Sequence, residues 1–117
     1  MLTIYGIKNC DTMKKAFLWL ESKKISYNFH DYKKEGITEE KLKGWLKKVE
    51  LSNLINVKGT TWKGLTEEQK STINDPSKAI KLLIEKPSAI KRPFIELNNQ
   101  YLIGFNISEW EKTLSNI

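Results

Sequence analysis

Chemistry in this chain of 117 residues starts at Cys10, the only cysteine. It follows the apolar stretch Leu2–Tyr5 and Gly6, and it precedes residues with helical spacing, so its expected place is a strand-to-helix turn. Backbone N–H groups at a helix start favour negative charge, and a thiolate there has a lowered pKa. Lys8, Lys14 and Lys15 act in the same sense if they face the sulfur. The competing reading is a small buried apolar side chain, which is what most unpaired cysteines are. Local sequence leaves these two readings level.

The second chemical feature is Arg92-Pro93. Of 20 basic residues, Arg92 alone is arginine and the rest are lysine. In so lysine-rich a chain, the single arginine points to a place that needs a planar, forked donor, although chance and a plain surface position explain it too. If Arg92 faces Cys10, its guanidinium can hold a thiolate, an oxyanion or a carboxylate. Pro93 can follow a cis bond, as about 5–6% of X-Pro bonds do, or simply start a strand. The lone His30 lies in an alternating stretch and reads as a packed or exposed side chain, not as a metal ligand. One histidine and one cysteine cannot build a zinc site unaided. No Ser-His-Asp spacing and no phosphate-loop glycine pattern occurs. Trp19, Trp45, Trp62 and Trp110 read as core pieces, with Trp62 left unassigned.

The elements that must position these residues follow from periodicity. Met1–Gly6 reads as a short strand, and Met13, Ala16, Phe17 and Leu20 make a helical stripe capped by Asp11 or Thr12. That helix fades near Lys23-Lys24, and Ile25–Tyr32 alternates as a second strand. A β-α-β crossover of this kind implies parallel strands. Thr38-Glu39-Glu40 starts a helix with Leu42, Trp45, Leu46 and Val49 inward, and Leu51–Ile55 adds a turn. Val57–Gly64 reads as a loop between glycines. Thr66–Gln69 restarts a helix, interrupted at Asn74-Asp75-Pro76, with Asp75 as cap and Pro76 in the first helical position. Phe94–Leu97 and Tyr101–Gly104 form a hairpin through Asn98-Asn99-Gln100, not of the tightest kind. Ser108 then caps a last helix with Trp110 and Leu114 inward. The expected fold class is α/β: a mixed sheet covered by helices.

Length supports one domain with one hydrophobic core. Hydrophobic residues at 39% and charged residues at 29% match an ordinary soluble balance. No apolar run approaches the roughly 20 residues that cross a bilayer, so no membrane partner is expected. The opening is too short and uncharged for a secretory signal, and a lone cysteine can form no internal disulfide, so the expected location is cytoplasmic. A net charge of +6 raises nucleic acid as a partner, but the lysines come as scattered pairs, which suits solvated helix faces better.

The stretch Tyr5–Ala16, Tyr-Gly-Ile-Lys-Asn-Cys-Asp-Thr-Met-Lys-Lys-Ala, resembles the opening of the arsenate reductase-like family, which also includes the Spx-type regulators. Lys58–Trp62, Lys91-Arg92-Pro93, Leu102–Phe105 and Glu109-Trp110 are similar, in order and spacing, to its small single-cysteine branch, described as YffB-like. The resemblance covers essentially the whole chain. It implies a single thioredoxin-like domain over residues 1–117, a four-stranded mixed sheet with a helical insert between strands 2 and 3, and a cis bond at Pro93. In arsenate reductases of the family one cysteine attacks arsenate, glutathione resolves the product, and three arginines hold the oxyanion. Cys10 matches that nucleophile and Arg92 one arginine; Lys58 lies near the second place and Asn106 near the third, so two arginines are missing. The regulators often carry Cys-x-x-Cys, where this chain has Met13.

The implied function is a glutathione-dependent thiol reductase in which Cys10 is the nucleophile and Arg92 holds its thiolate. Lys8, Asn9, Lys58 and Pro93 would bind substrate, glutathione or a glutathionylated substrate would be the partner, and no metal is called for. The alternatives are an arsenate reductase, with an oxyanion as ligand, and an Spx-like regulator that binds RNA polymerase.

Overall fold

The computed structural model describes residues 1–115. In chain order the elements are β1 (Leu2–Gly6), α1 (Asp11–Ser22), β2 (Tyr27–Asp31), α2 (Tyr32–Glu35), α3 (Glu39–Leu46) and α4 (Leu51–Leu54). There follow α5 (Thr60–Lys63), α6 (Glu67–Ser71), α7 (Pro76–Glu85), β3 (Phe94–Leu97), β4 (Gln100–Ile103) and α8 (Ile107–Leu114). They fall into two compact units, one made of Met1–Asp31 and the chain from Arg92 onward, the other of Tyr32–Lys91.

The first unit holds the whole sheet, in the order β2-β1-β3-β4. β1 and β2 are parallel, with Ile4 opposite Phe29, as the β-α-β pattern requires. β3 runs antiparallel to β1, and β4 antiparallel to β3, so the sheet is mixed as expected. Alternation divides its side chains. Leu2, Ile4, Ile95, Leu97 and Leu102 form one core with Met13, Ala16 and Leu20 of α1 and Trp110 and Leu114 of α8. On the other side the Tyr5 ring packs on His30 at 4.7 Å, and its hydroxyl donates to Glu96 Oε1 at 3.1 Å. His30 is therefore a packing residue of β2.

α1 ends where its lysine pair begins. Ile25 N–H bonds Leu20 O at 2.9 Å and Lys24 N–H bonds Glu21 O at 3.1 Å, a Schellman closure with Lys24 in the left-handed region at φ 57°. The hairpin is tighter than expected. Leu97 pairs with Gln100, so only Asn98 and Asn99 form the turn, at φ 48° and 66°. Asparagine tolerates that region better than other branched or charged side chains, which suits a two-residue turn of the primed type. β2 is also shorter than the alternation suggests: Tyr32 already belongs to α2.

The second unit, the insert between β2 and β3, is helical. Thr38 caps α3 by accepting Lys41 N–H, and Thr66 and Gln69 form a reciprocal capping box at α6. Asp75 caps α7 with Pro76 in its first turn. Trp45, Leu42, Leu54, Ile80, Leu83 and Ile90 are among its buried residues. The glycine-bounded stretch read as a loop contains α5, which begins immediately after Gly59 and closes at Gly64. Its four residues make too short a stripe for periodicity to report.

Candidate active site

Cys10 stands at the N-cap of α1, with extended backbone angles φ −122° and ψ 130°. Sequence patterns favour Asp11 or Thr12 for that place; both instead lie in the first turn, because the chain turns helical directly after the cysteine. A cap side chain accepts from the N–H groups two and three residues on. Here those are Thr12 and Met13, and their hydrogen bonds favour the Cys10 thiolate.

Arg92 reaches the same sulfur. β3 pairs with β1 up to Tyr5 opposite Phe94, so the residues before Phe94 run alongside the turn that leaves β1 toward Cys10. From there the half-buried guanidinium hydrogen-bonds the sulfur and adds its charge. Partial burial by itself pushes the Cys10 thiol up. The Met13 amide, the Arg92 hydrogen bond, the Thr12 amide and the Arg92 charge together outweigh it, and the thiol lies below its ordinary value. Cys10 is half-buried and packs against the core of the first unit, with its thiol below the ordinary value.

The remaining candidates take different places. Pro93 is buried and follows a cis peptide bond, as expected. Lys8 and Asn9 are exposed on the turn just before Cys10. Lys58 belongs to the second unit, on an exposed turn where Gly59 N–H bonds Asn56 O at 3.2 Å. Asn106, at the third arginine place, is committed to the backbone. It caps α8, accepting from Glu109 N–H at 3.1 Å and from Ser108 Oγ at 2.9 Å. Ser108, expected as the cap, lies inside the helix. The signal was present in the sequence, since Asn106 with Glu109 has the spacing of a capping box.

Met13 marks the other departure from the Cys-x-x-Cys pattern. It is fully buried in the core beneath Gly6. A Cβ built on Gly6 would lie 2.4 Å from Met13 Sδ, so this glycine is what lets α1 approach the end of β1 so closely.

Sequence reasoning offered the backbone at Pro93 to a substrate but did not find the hydrogen bonds that hold it. Its carbonyl accepts from Gly104 N–H at 2.8 Å, and the Gly104 carbonyl accepts from the Trp110 indole at 3.1 Å. Neither bond leaves a periodic signature.

Comparison with known proteins agrees with the fold. The chain is 40% identical over 117 residues to an uncharacterized protein of Haemophilus influenzae, covering 95% of this chain and 96% of that one. It is 30% identical over 111 residues to the regulatory protein MgsR of Bacillus subtilis, covering 92% and 86%. A solved structure of a protein named YFFB superposes with a TM-score of 0.91 at 44% identity, covering 97% of this chain and 99% of that one. The fold is that of the thioredoxin-like proteins of this group. Residues 5–113 match the ArsC family, and the chain belongs to it.

Proposed function

We propose that the protein is a glutathione-dependent thiol reductase with Cys10 as its only nucleophile. What carries this reading is the place of half-buried Cys10 at the N-cap of α1, where the Met13 and Thr12 amides and Arg92 hold its thiol below the ordinary value. In the proposed cycle the Cys10 thiolate attacks the glutathione sulfur of a mixed disulfide. The old S–S bond breaks, the departing thiolate takes a proton from water, and Cys10 is left bonded to glutathione. A second glutathione thiolate attacks the glutathione sulfur of that bond, releasing oxidised glutathione and returning Cys10. The chain has no second cysteine to do this step, so the resolving thiol comes from outside. Lys8 and Asn9, exposed on the turn just before Cys10, suit the carboxylates of glutathione. The chain at Pro93, next to Arg92, is the edge along which a peptide-like substrate would lie. Such chemistry needs the reducing pool of a cytoplasm.

Arsenate reduction is the weaker enzymatic reading. One arginine is present, and the residue at the third arginine place spends its side chain as a helix cap. The test is turnover of a glutathionylated peptide by glutathione. Cys10→Ser is expected to abolish it, and turnover that survives the substitution refutes the reading.

A regulatory reading has one observation in its favour, the 30% identity to MgsR. It makes the protein a module that binds RNA polymerase without an internal disulfide switch. It predicts retention of purified RNA polymerase by the wild type and by Cys10→Ser alike; no retention by either removes it.

A further inference from the structure

We propose that Trp110 is a positioning residue for Arg92, acting through Gly104 and Pro93, and thereby sets how strongly the Cys10 thiolate is held. The proposal rests on the thiolate reading above but not on which disulfide is reduced. Trp110 is fully buried in the core of the first unit. Its ring meets Phe105 edge-on at 4.8 Å and Trp19 edge-on at 5.6 Å, which fixes its orientation on two sides. So held, the indole N–H donates to the Gly104 carbonyl at 3.1 Å.

Gly104 carries the connection onward. It follows the last residue of β4 and has φ 78°, a region that glycine enters at little cost. Its N–H donates to the Pro93 carbonyl at 2.8 Å, extending the β3–β4 pairing by one step past Phe94 opposite Ile103. Pro93 is bonded directly to Arg92, whose guanidinium reaches Cys10. The indole therefore connects to the chain that carries the arginine at one point, the Pro93 carbonyl, through the two hydrogen bonds of Gly104.

A phenylalanine would keep an aromatic ring there but leave part of the indole's space empty, whereas a benzothienyl ring would fill it without the N–H. What the indole adds is a buried donor, and such donors are paired in native structures. Here its acceptor is the Gly104 carbonyl, and the N–H of the same residue bonds Pro93. Without that bond the Gly104 peptide turns more readily, the Pro93 carbonyl is held less firmly, and the guanidinium spends less time on the sulfur.

The experiment is the pH dependence of Cys10 alkylation by iodoacetamide in wild type, Trp110→Phe, Trp19→Phe, Arg92→Ala and the Trp110→Phe/Arg92→Ala double variant. Trp110→Phe is expected to raise the midpoint by about half a unit, which well below the midpoint is about threefold slower alkylation. Trp19→Phe, which disturbs the same ring cluster, is expected to leave the midpoint in place. In the Arg92→Ala background, Trp110→Phe is expected to add nothing, an outcome general loosening of the core would not give. If Trp110→Phe fails to fold, 3-benzothienylalanine at position 110 keeps the shape, loses only the N–H, and is expected to give the same shift. A wild-type midpoint in a folded variant at position 110, with Arg92→Ala still raising it, overturns the proposal. So does a shift that persists in the double variant. A wild-type Cys10 that titrates as an ordinary thiol instead overturns the thiolate reading itself.

Discussion

Removing the Arg92 side chain tests the electrostatics of Cys10 most directly. A hydrogen bond to a charged partner contributes about 1.5–3 kcal/mol when shielded from water. Ion pairs in full solvent contribute about 0–1 kcal/mol. Cys10 and Arg92 are both half-buried, so the Arg92 contribution falls between these limits, at about 1 kcal/mol. At ~1.36 kcal/mol per pKa unit this is about 0.7 unit. In Arg92→Ala, burial still pushes the thiol up while only the Met13 and Thr12 amides oppose it, so the midpoint rises. The assay is alkylation rate against pH, with circular dichroism confirming that the variant is folded. Well below the midpoint, Arg92→Ala is expected to react about fivefold more slowly. Arg92→Lys, which keeps the charge and loses the fork, is expected in between. A folded Arg92→Ala whose midpoint stays within about 0.2 unit of wild type refutes the role of Arg92.

A depressed thiol also links Cys10 to stability: its contribution is complete above the unfolded thiol value of about 8.5 and is lost as pH falls through the lower folded midpoint. The stability difference between wild type and Cys10→Ser, measured by urea unfolding, is therefore expected to grow across that window and to level off above it; a flat difference would contradict the lowered pKa. Gly6→Ala puts a methyl group against the buried Met13 thioether, and chemical denaturation is expected to show a loss of about 1–3 kcal/mol, partly restored by Met13→Val; unchanged stability would mean that the core yields freely. Lys24→Gly relieves a left-handed lysine in the closure of α1 and is expected to add about 0.5–1 kcal/mol, with Tm up by about 2–5 °C, and a lower Tm would count against the Schellman geometry.

Periodicity made the strands, the β-α-β crossover and the long helices legible, because each has an inward stripe that touches one core. The caps at Thr38 and Asp75 were legible for a related reason: hydroxyl and carboxylate side chains have a strong preference for that place. Cys10 escaped the same reasoning. A thiol has little standing as a cap, so the nearby aspartate and threonine drew the prediction one or two residues too far. The hairpin was misjudged by a single residue of register, since apolar runs mark strands but not which residues pair across the turn. The meeting of Cys10 with Arg92 had no local sign. Those residues are separated by most of the chain, so their pairing stood only as a condition until the family resemblance linked them. Asn106 shows the reverse case, in which a local pattern was present and a neighbouring serine was preferred to it.

The tryptophans also supply optical probes. Trp19 and Trp110 belong to the unit with the sheet, and Trp45 and Trp62 to the helical insert. Replacing the latter pair by phenylalanine leaves emission that originates beside the core shared by α1 and α8; replacing the former pair leaves emission from the insert alone. Each fully buried indole, Trp110 in one set and Trp45 in the other, would shift to longer wavelength when water reaches it. Two fluorescence melts on one sequence can thus report whether the insert and the sheet lose their structure in the same transition or in succession.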